Sequence, residues 1–127
     1  MIVGLGLDLF DVARLEHEVQ RHGSAAALKV FSSAELEACD AHRRPMRALA
    51  SCFAAKEALF KALCLDVGEG WRWRDVEVSA GVGAPPALAL RGRLADLARQ
   101  RGADRILLSL ASTRRHVCAT VVLEKRA

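Results

Sequence analysis

The run from Pro45 to about Cys64 reads as one long helix, and no side of it is strongly polar. Proline suits the first turn, where its missing N–H is not needed. At 100° per residue, Leu49, Cys52, Phe53, Phe60 and Leu63 fall on one apolar stripe, with Lys56 inside it. The back, Ser51, Ala55, Ala58 and Ala62, is small rather than charged. A helix without a solvated face is enclosed by the rest of the fold, so its charges need an explanation. Glu57 and Lys61, one turn apart, share a flank with Ala50 and Ala54, whose small side chains leave room for a ligand. The plainer alternative is an intrahelical Glu–Lys pair worth about 0.3–0.5 kcal/mol on a solvated face.

A second buried-looking acid ends the alternating run Ile2-Val3-Gly4-Leu5-Gly6-Leu7-Asp8-Leu9. As a strand over 2–10, it sends Val3, Leu5, Leu7 and Leu9 to one face and Ile2, Gly4, Gly6, Asp8 and Phe10 to the other. The second face is nearly bare backbone leading to a carboxylate. Glycine weakens a strand, and its usual justification is close approach by another backbone or by a ligand.

Around these two elements the order is legible. Asp11 caps a helix running to Arg21 or His22 and stopped by Gly23. Ser32 with Glu35 makes a capping box for a short helix ending near Ala41. Strands are expected over Trp71–Val78 and Ala87–Leu90, separated by a loop at Gly81–Pro86. A helix over Arg93–Arg101 stops at Gly102, and the strands Arg105–Ser112 and His116–Glu124 form a hairpin through Thr113-Arg114-Arg115. This order predicts an α+β fold, a mainly antiparallel sheet packed with a long central helix. At 127 residues, without a linker or repeat, 1–127 is expected to form a single domain.

Cys39, Cys52, Cys64 and Cys118 are widely spaced, so neither a zinc site nor a disulfide framework is indicated, and a reduced, cytoplasmic setting is expected. No run approaches the roughly 20 apolar residues of a membrane span, and the N-terminus lacks the charged start of a signal peptide. The net charge of +4 comes largely from arginine, which suits an acidic protein, a phosphate-rich cofactor or nucleic acid. Aromatics at 5% and the absence of tyrosine argue against a base-stacking platform, so nucleic acid is not the expected partner. The histidines His17, His22, His42 and His116 show no pairing pattern and read as surface residues.

Magnesium prefers oxygen ligands and commonly takes one or two protein carboxylates, with water and substrate phosphate completing its octahedron. Asp8 and Glu57 supply that number, and Lys61 could balance phosphate charge without competing as a ligand. The combination points to metal-assisted transfer of a phosphate-containing group. Two carboxylates also fit glycoside hydrolysis, but a basic chain poor in aromatics makes a poor sugar cleft. There is no Walker loop and no Gly-x-Ser-x-Gly elbow.

With these residues in place the chain resembles the holo-acyl-carrier-protein synthases, the small 4′-phosphopantetheinyl transferases. The likeness runs nearly end to end. It is carried by Gly4-Leu5-Gly6-Leu7-Asp8-Leu9 with Arg14, Phe31-Ser32-Ser33-Ala34-Glu35-Leu36, Phe53-Ala54-Ala55-Lys56-Glu57-Ala58 with Lys61-Ala62, Gly68-Glu69-Gly70, Trp73-Arg74-Asp75-Val76-Glu77-Val78, Pro86 through Gly92, and the closing strand pair. The resemblance implies transfer of phosphopantetheine from coenzyme A to a serine of an apo acyl carrier protein, releasing adenosine 3′,5′-bisphosphate. It implies Asp8 and Glu57 as Mg2+ ligands and, with Lys61, as the catalytic set. It also implies Lys56, Lys61, Pro86 and Ser112 along coenzyme A, Arg14 and Arg21 against the acidic carrier helix, and a homotrimer with active sites between subunits. Glu57 or a metal-bound water would deprotonate the carrier serine.

The departures from the family pattern cluster at the coenzyme A end. Cys52 stands where the resemblance expects arginine, Cys64-Leu65-Asp66 replaces Gly-Thr-Gly, Ala84-Pro85 replaces Gly-Lys, and Ala111-Ser112 replaces Ser-His. Loss of one charged phosphate contact costs about 1.5–3 kcal/mol, roughly ten- to a hundredfold in affinity. Arg114 and Arg115 are the nearest substitutes in sequence. The alternative function is therefore a catalytically weakened relative that binds a carrier protein without efficient transfer.

Overall fold

The computed structural model describes residues 1–80 and 83–127. Its elements are β1 (Ile2–Asp11), α1 (Val12–Val30), α2 (Ser33–Asp40), α3 (Pro45–Leu63), β2 (Val76–Ser79), β3 (Ala87–Leu90), α4 (Gly92–Gln100), β4 (Arg105–Ser112) and β5 (His116–Glu124). β1, β5 and β4 form one antiparallel sheet in that order, and β2 pairs antiparallel with β3 in a second. The α+β architecture is the expected one. Among the described residues no helix is long and apolar enough to cross a membrane. The expected loop at Gly81–Pro86 lies partly outside the described residues.

α3 runs across the inner face of the larger sheet, packed on β1 and β5. From β5, Val117, Ala119, Val121 and Leu123 point toward it and are buried. From β1, Gly4 and Gly6 do so. A Cβ built on Gly6 would stand 1.9 Å from the Ala58 carbonyl oxygen, and one on Gly4 would stand 2.5 Å from that of Ala62. The strand backbone therefore lies directly on the helix backbone, and the alanines on the back of α3 meet the glycines of β1. Ala50 and Ala54 are likewise fully enclosed. The space expected beside them for a ligand is thus occupied by the protein itself.

Two boundaries differ from the sequence expectation. α1 does not stop at Gly23; that residue takes φ 75° and ψ −174°, and a second helical segment resumes beyond it to Val30. Glycine is permitted this left-handed φ, so it breaks the axis while the apolar residues downstream rebuild helix. The strand expected from Trp71 begins only at Val76. Before it the Asp75 carboxylate accepts from the Arg72 backbone N–H (3.0 Å), and the Asp75 N–H donates to the Arg72 carbonyl (3.0 Å), closing a 3₁₀ turn over Trp73–Asp75. That turn brings Trp71 and Trp73 onto Phe60, with ring centroids 4.5 and 4.9 Å away, and stacks Trp73 on Phe53 at 5.4 Å.

The other expected elements form where they were placed. The Ser32–Glu35 capping box is present in both directions, at 3.1 and 2.8 Å. α3 starts on Pro45, and the β4–β5 hairpin has the expected strand limits.

Gly6→Ala is expected to lose stability at or above the upper end of the ~1–3 kcal/mol typical of overpacking, because the clash is with backbone that cannot rotate away. Gly23→Ala, whose added Cβ meets nothing within 4 Å, is expected to lose only ~1 kcal/mol, from the positive φ. Urea midpoints of the two variants check the contrast.

Candidate active site

Asp8 continues the inward-facing series of β1 one step past Gly6, so the flush strand–helix contact delivers its carboxylate to the flank of α3 carrying Glu57 and Lys61. The Asp8 side chain is 12% exposed. Its Oδ1 accepts from Lys61 Nζ at 3.0 Å, and the same ammonium donates to the Leu7 carbonyl at 3.1 Å. Its Oδ2 is buried and has no hydrogen-bond partner. Lys61 thus reaches across to β1 instead of closing a pair with Glu57 along the helix. Burial raises the Glu57 carboxyl above its ordinary range, the neighbouring Asp8 charge raises it further, and Lys61 partly offsets both.

A carboxylate whose charge raises its neighbour's pKa, and which itself keeps one buried oxygen without a partner, makes a place for a cation. Among the described residues no group of three or more His, Cys, Asp or Glu side chains is arranged to hold a metal. A divalent ion here would therefore rest on a carboxylate pair and complete its shell with water or substrate oxygens, which fits magnesium and not zinc.

Lys56 does not reach this site, contrary to its expected place along the cofactor. It is completely buried, and its ammonium donates to the Val30 carbonyl (2.7 Å), Glu35 Oε1 (2.8 Å) and the Trp73 carbonyl (3.2 Å). All three donors are in use inside the protein. Glu35 is equally occupied: besides Lys56 it accepts from the Ser32 N–H (2.8 Å), the Val78 N–H (2.8 Å) and the Cys52 thiol (3.2 Å). Burial and the Glu35 carboxylate hold the Cys52 thiol protonated, pushing its pKa far up. Sequence reasoning saw Glu35 only as a helix cap. The signal for its second role was Lys56 itself, since a cation inside an apolar stripe requires a buried anion.

Ser112 lies on the inner side of β4, exposed, and lines a pocket of about 230 Å³ with Glu35, Cys39, His42, Arg47 and Cys52. Two of the departures, Cys52 and Ser112, thus share one pocket, whose lining does not include Asp8, Glu57 or Lys61. Arg114 and Arg115 do not line it either. Their turn sits against the start of α1, where the Arg115 carbonyl accepts from the Val12 N–H at 2.9 Å. Pro86 is half-buried, just before β3. Cys64 caps α3 in the left-handed region at φ 50°, a strained position for a residue with a Cβ and one where the family resemblance expects glycine. Arg14 and Arg21 are exposed on α1, with the Arg14 guanidinium 5.7 Å over the Phe10 ring.

Residues 4–121 match the 4′-phosphopantetheinyl transferase superfamily, and the chain belongs to that family. The chain is 41% identical over 124 residues to the holo-[acyl-carrier-protein] synthase of Photorhabdus laumondii, covering 98% of each chain. It is 39% identical over 126 residues to that of Vibrio cholerae, covering 99% of this chain and all of the relative. Among solved structures it superposes on the holo-[acyl-carrier-protein] synthase of Neisseria meningitidis with a TM-score of 0.83 and 30% identity, over 98% of this chain and 100% of the other. It also superposes on the Bacillus anthracis synthase in complex with CoA (3′,5′-ADP), with a TM-score of 0.79 and 25% identity, over 99% of each chain.

Because folding raises the Glu57 pKa, the native state binds more protons than the unfolded chain between Glu57's ordinary and raised values, so this group removes stability as pH rises through that window. Glu57→Gln is accordingly expected to melt above the wild type at neutral pH in EDTA, with the gap closing at acidic pH where wild-type Glu57 is protonated. Added Mg2+ is expected to raise the melting temperature of the wild type and not of the variant, which calorimetry over a pH series reads directly.

Proposed function

We propose that this chain transfers the 4′-phosphopantetheine group from coenzyme A to a serine of an apo acyl carrier protein, with Mg2+, releasing adenosine 3′,5′-bisphosphate. The observation that carries the reading is the unpartnered, buried Oδ2 of Asp8 beside Glu57 and Lys61. On this family's scaffold, that is a carboxylate pair short of one cation.

Asp8 and Glu57 would hold the magnesium, which when bound supplies charge neutralisation at the pyrophosphate of coenzyme A. Lys61 balances Asp8; with a metal held there instead, its ammonium would be free to turn toward phosphate charge developing in transfer. Lys61 is 53% exposed, so that swing meets no packed obstacle. Glu57, or a water held beside it, is assigned the proton of the attacking serine. Ser112 and Pro86 are assigned to coenzyme A, and Arg14 and Arg21 to the acidic carrier. A cytoplasmic enzyme fits the four free cysteines, one of them exposed.

The outer face of the larger sheet supports a homotrimer. Leu5, Leu7 and Leu9 are 67%, 56% and 68% exposed, and register places Val122 and Leu107 in the same row as Leu5. An apolar row of that length on a sheet face is normally covered. The assembly would also bring a neighbour's Ser112 pocket toward each Asp8–Glu57 pair, which one chain keeps apart. Leu7→Lys with Leu9→Lys is expected to yield monomers by light scattering; trimers persisting in that variant would remove this face from the interface.

The buried, neutral Cys52 supports one further reading, a relative that binds the carrier but transfers slowly, because an expected cation is missing from the Ser112 pocket. Incubating the protein with Mg2+, coenzyme A and apo carrier, and following carrier mass, separates the two. The expected result is addition of phosphopantetheine, abolished by EDTA and reduced about 10²–10⁴-fold in Asp8→Asn or Glu57→Gln, the range for loss of a positioned acid or base. Binding without addition would establish the weakened relative.

A further inference from the structure

Away from Asp8 and Glu57, the far end of α1 meets the turn before β2 and the link into α4 in an open groove of about 650 Å³, lined by Lys29, Arg72, Arg74, Arg91, Trp73 and Asp75. All four cations are exposed, and among the described residues none is in an ion pair. Two are held in place by main chain: Arg91 donates through Nε and a terminal nitrogen to the Arg74 carbonyl (3.1 and 3.0 Å), and Arg74 donates to the Leu28 carbonyl at 3.4 Å. The one carboxylate in the groove, Asp75, is committed to the Arg72 backbone N–H. Guanidiniums fixed on carbonyls keep donors free for an outside anion at little further cost in side-chain order.

We infer that this groove is a second docking point for the acidic carrier protein, engaging carboxylates at the far end of a partner surface whose near end meets Arg14 and Arg21; the inference rests on the carrier-directed reading above. Lys29 follows Arg14 by fifteen positions, roughly 20 Å of helical rise at 1.5 Å per residue, divided by the break at Gly23 into two segments. The second segment ends against the groove, where Arg74 donates to the Leu28 carbonyl, so a partner that follows both segments of α1 meets both clusters. Nucleic acid fits less well. Trp73, the one aromatic among the described residues lining the groove, already has one ring face stacked on Phe53 at 5.4 Å and 15° and contacts Phe60 edge-on, so the groove lacks the run of free aromatic faces on which successive bases stack.

Lys29→Glu combined with Arg72→Glu reverses two cations whose side chains make no hydrogen bond among the described residues, and melting temperature checks that the fold is kept. Fluorescence anisotropy with labelled apo acyl carrier protein is expected to show Kd raised about tenfold or more, with a shallower salt dependence. The carrier KM in the transfer assay should rise in parallel while the KM for coenzyme A holds. The neutral pair Lys29→Gln and Arg72→Gln should give a smaller rise in the same direction. Unchanged carrier affinity in both pairs, with Arg14→Glu weakening it, overturns the groove and leaves α1 docking intact. A raised KM for coenzyme A alone, or loss confined to salt-sensitive binding of a single-stranded oligonucleotide, also overturns it. If the wild type neither binds nor modifies the carrier, the carrier-directed reading falls and the groove assignment falls with it.

Discussion

The contact on which the rest depends is backbone against backbone: β1 at Gly4 and Gly6 lying on α3 at Ala58 and Ala62. A side chain on Gly4 or Gly6 would meet the helix backbone and push the two elements apart, drawing Asp8 away from Lys61. The carboxylate of Asp8 is the next inward residue after this contact, so its depth and direction follow from a steric constraint two residues earlier. Small residues, often read as filler, here set the distance between two charged groups.

A second device holds α3 from the opposite side. Glu35 collects donors from the N-cap of α2, from β2 and from two turns of α3, and Lys56 extends the network to the end of α1 and to the Trp73 turn. Removing one member of such a pair leaves an unpaired buried charge, which costs about 3–5 kcal/mol, although the intact pair contributes far less than that. Its value is in specifying one arrangement. Lys56 and Glu57 are neighbours in sequence, and the 100° between them separates a structural charge from one that faces the site. The same network leaves Cys52 a donor to Glu35 and so withdraws it from the adjoining pocket's charge balance.

Much of this was legible beforehand where a local rule governs. The Ser32–Glu35 box, Pro45 at a helix start, the β3 segment and the β4–β5 hairpin all rest on near-neighbour chemistry, and all appear where that chemistry puts them. The misreadings share a cause. Trp71–Asp75 has strand-like composition, but its tryptophans are drawn to Phe60 and Phe53 from another element, and the Asp75–Arg72 turn allows it. Ala50 and Ala54 were rightly seen as small, but the sequence does not say whether a ligand or a protein segment fills the space. Lys56 was rightly seen as anomalous within its stripe, and its partner lay twenty-one residues away.

By itself the sequence determined the order of elements, the face of β1 that carries an acid, and the presence of Glu57 and Lys61 on one flank of α3, because periodicity and capping act over a few residues. Tertiary structure alone decided that Lys61 pairs with Asp8 and not with Glu57, that one Asp8 oxygen is left without a partner, and that Lys56 belongs to the interior. Those outcomes depend on which distant backbone approaches which, and on the distances at which burial turns a nearby charge from a screened neighbour into a required partner.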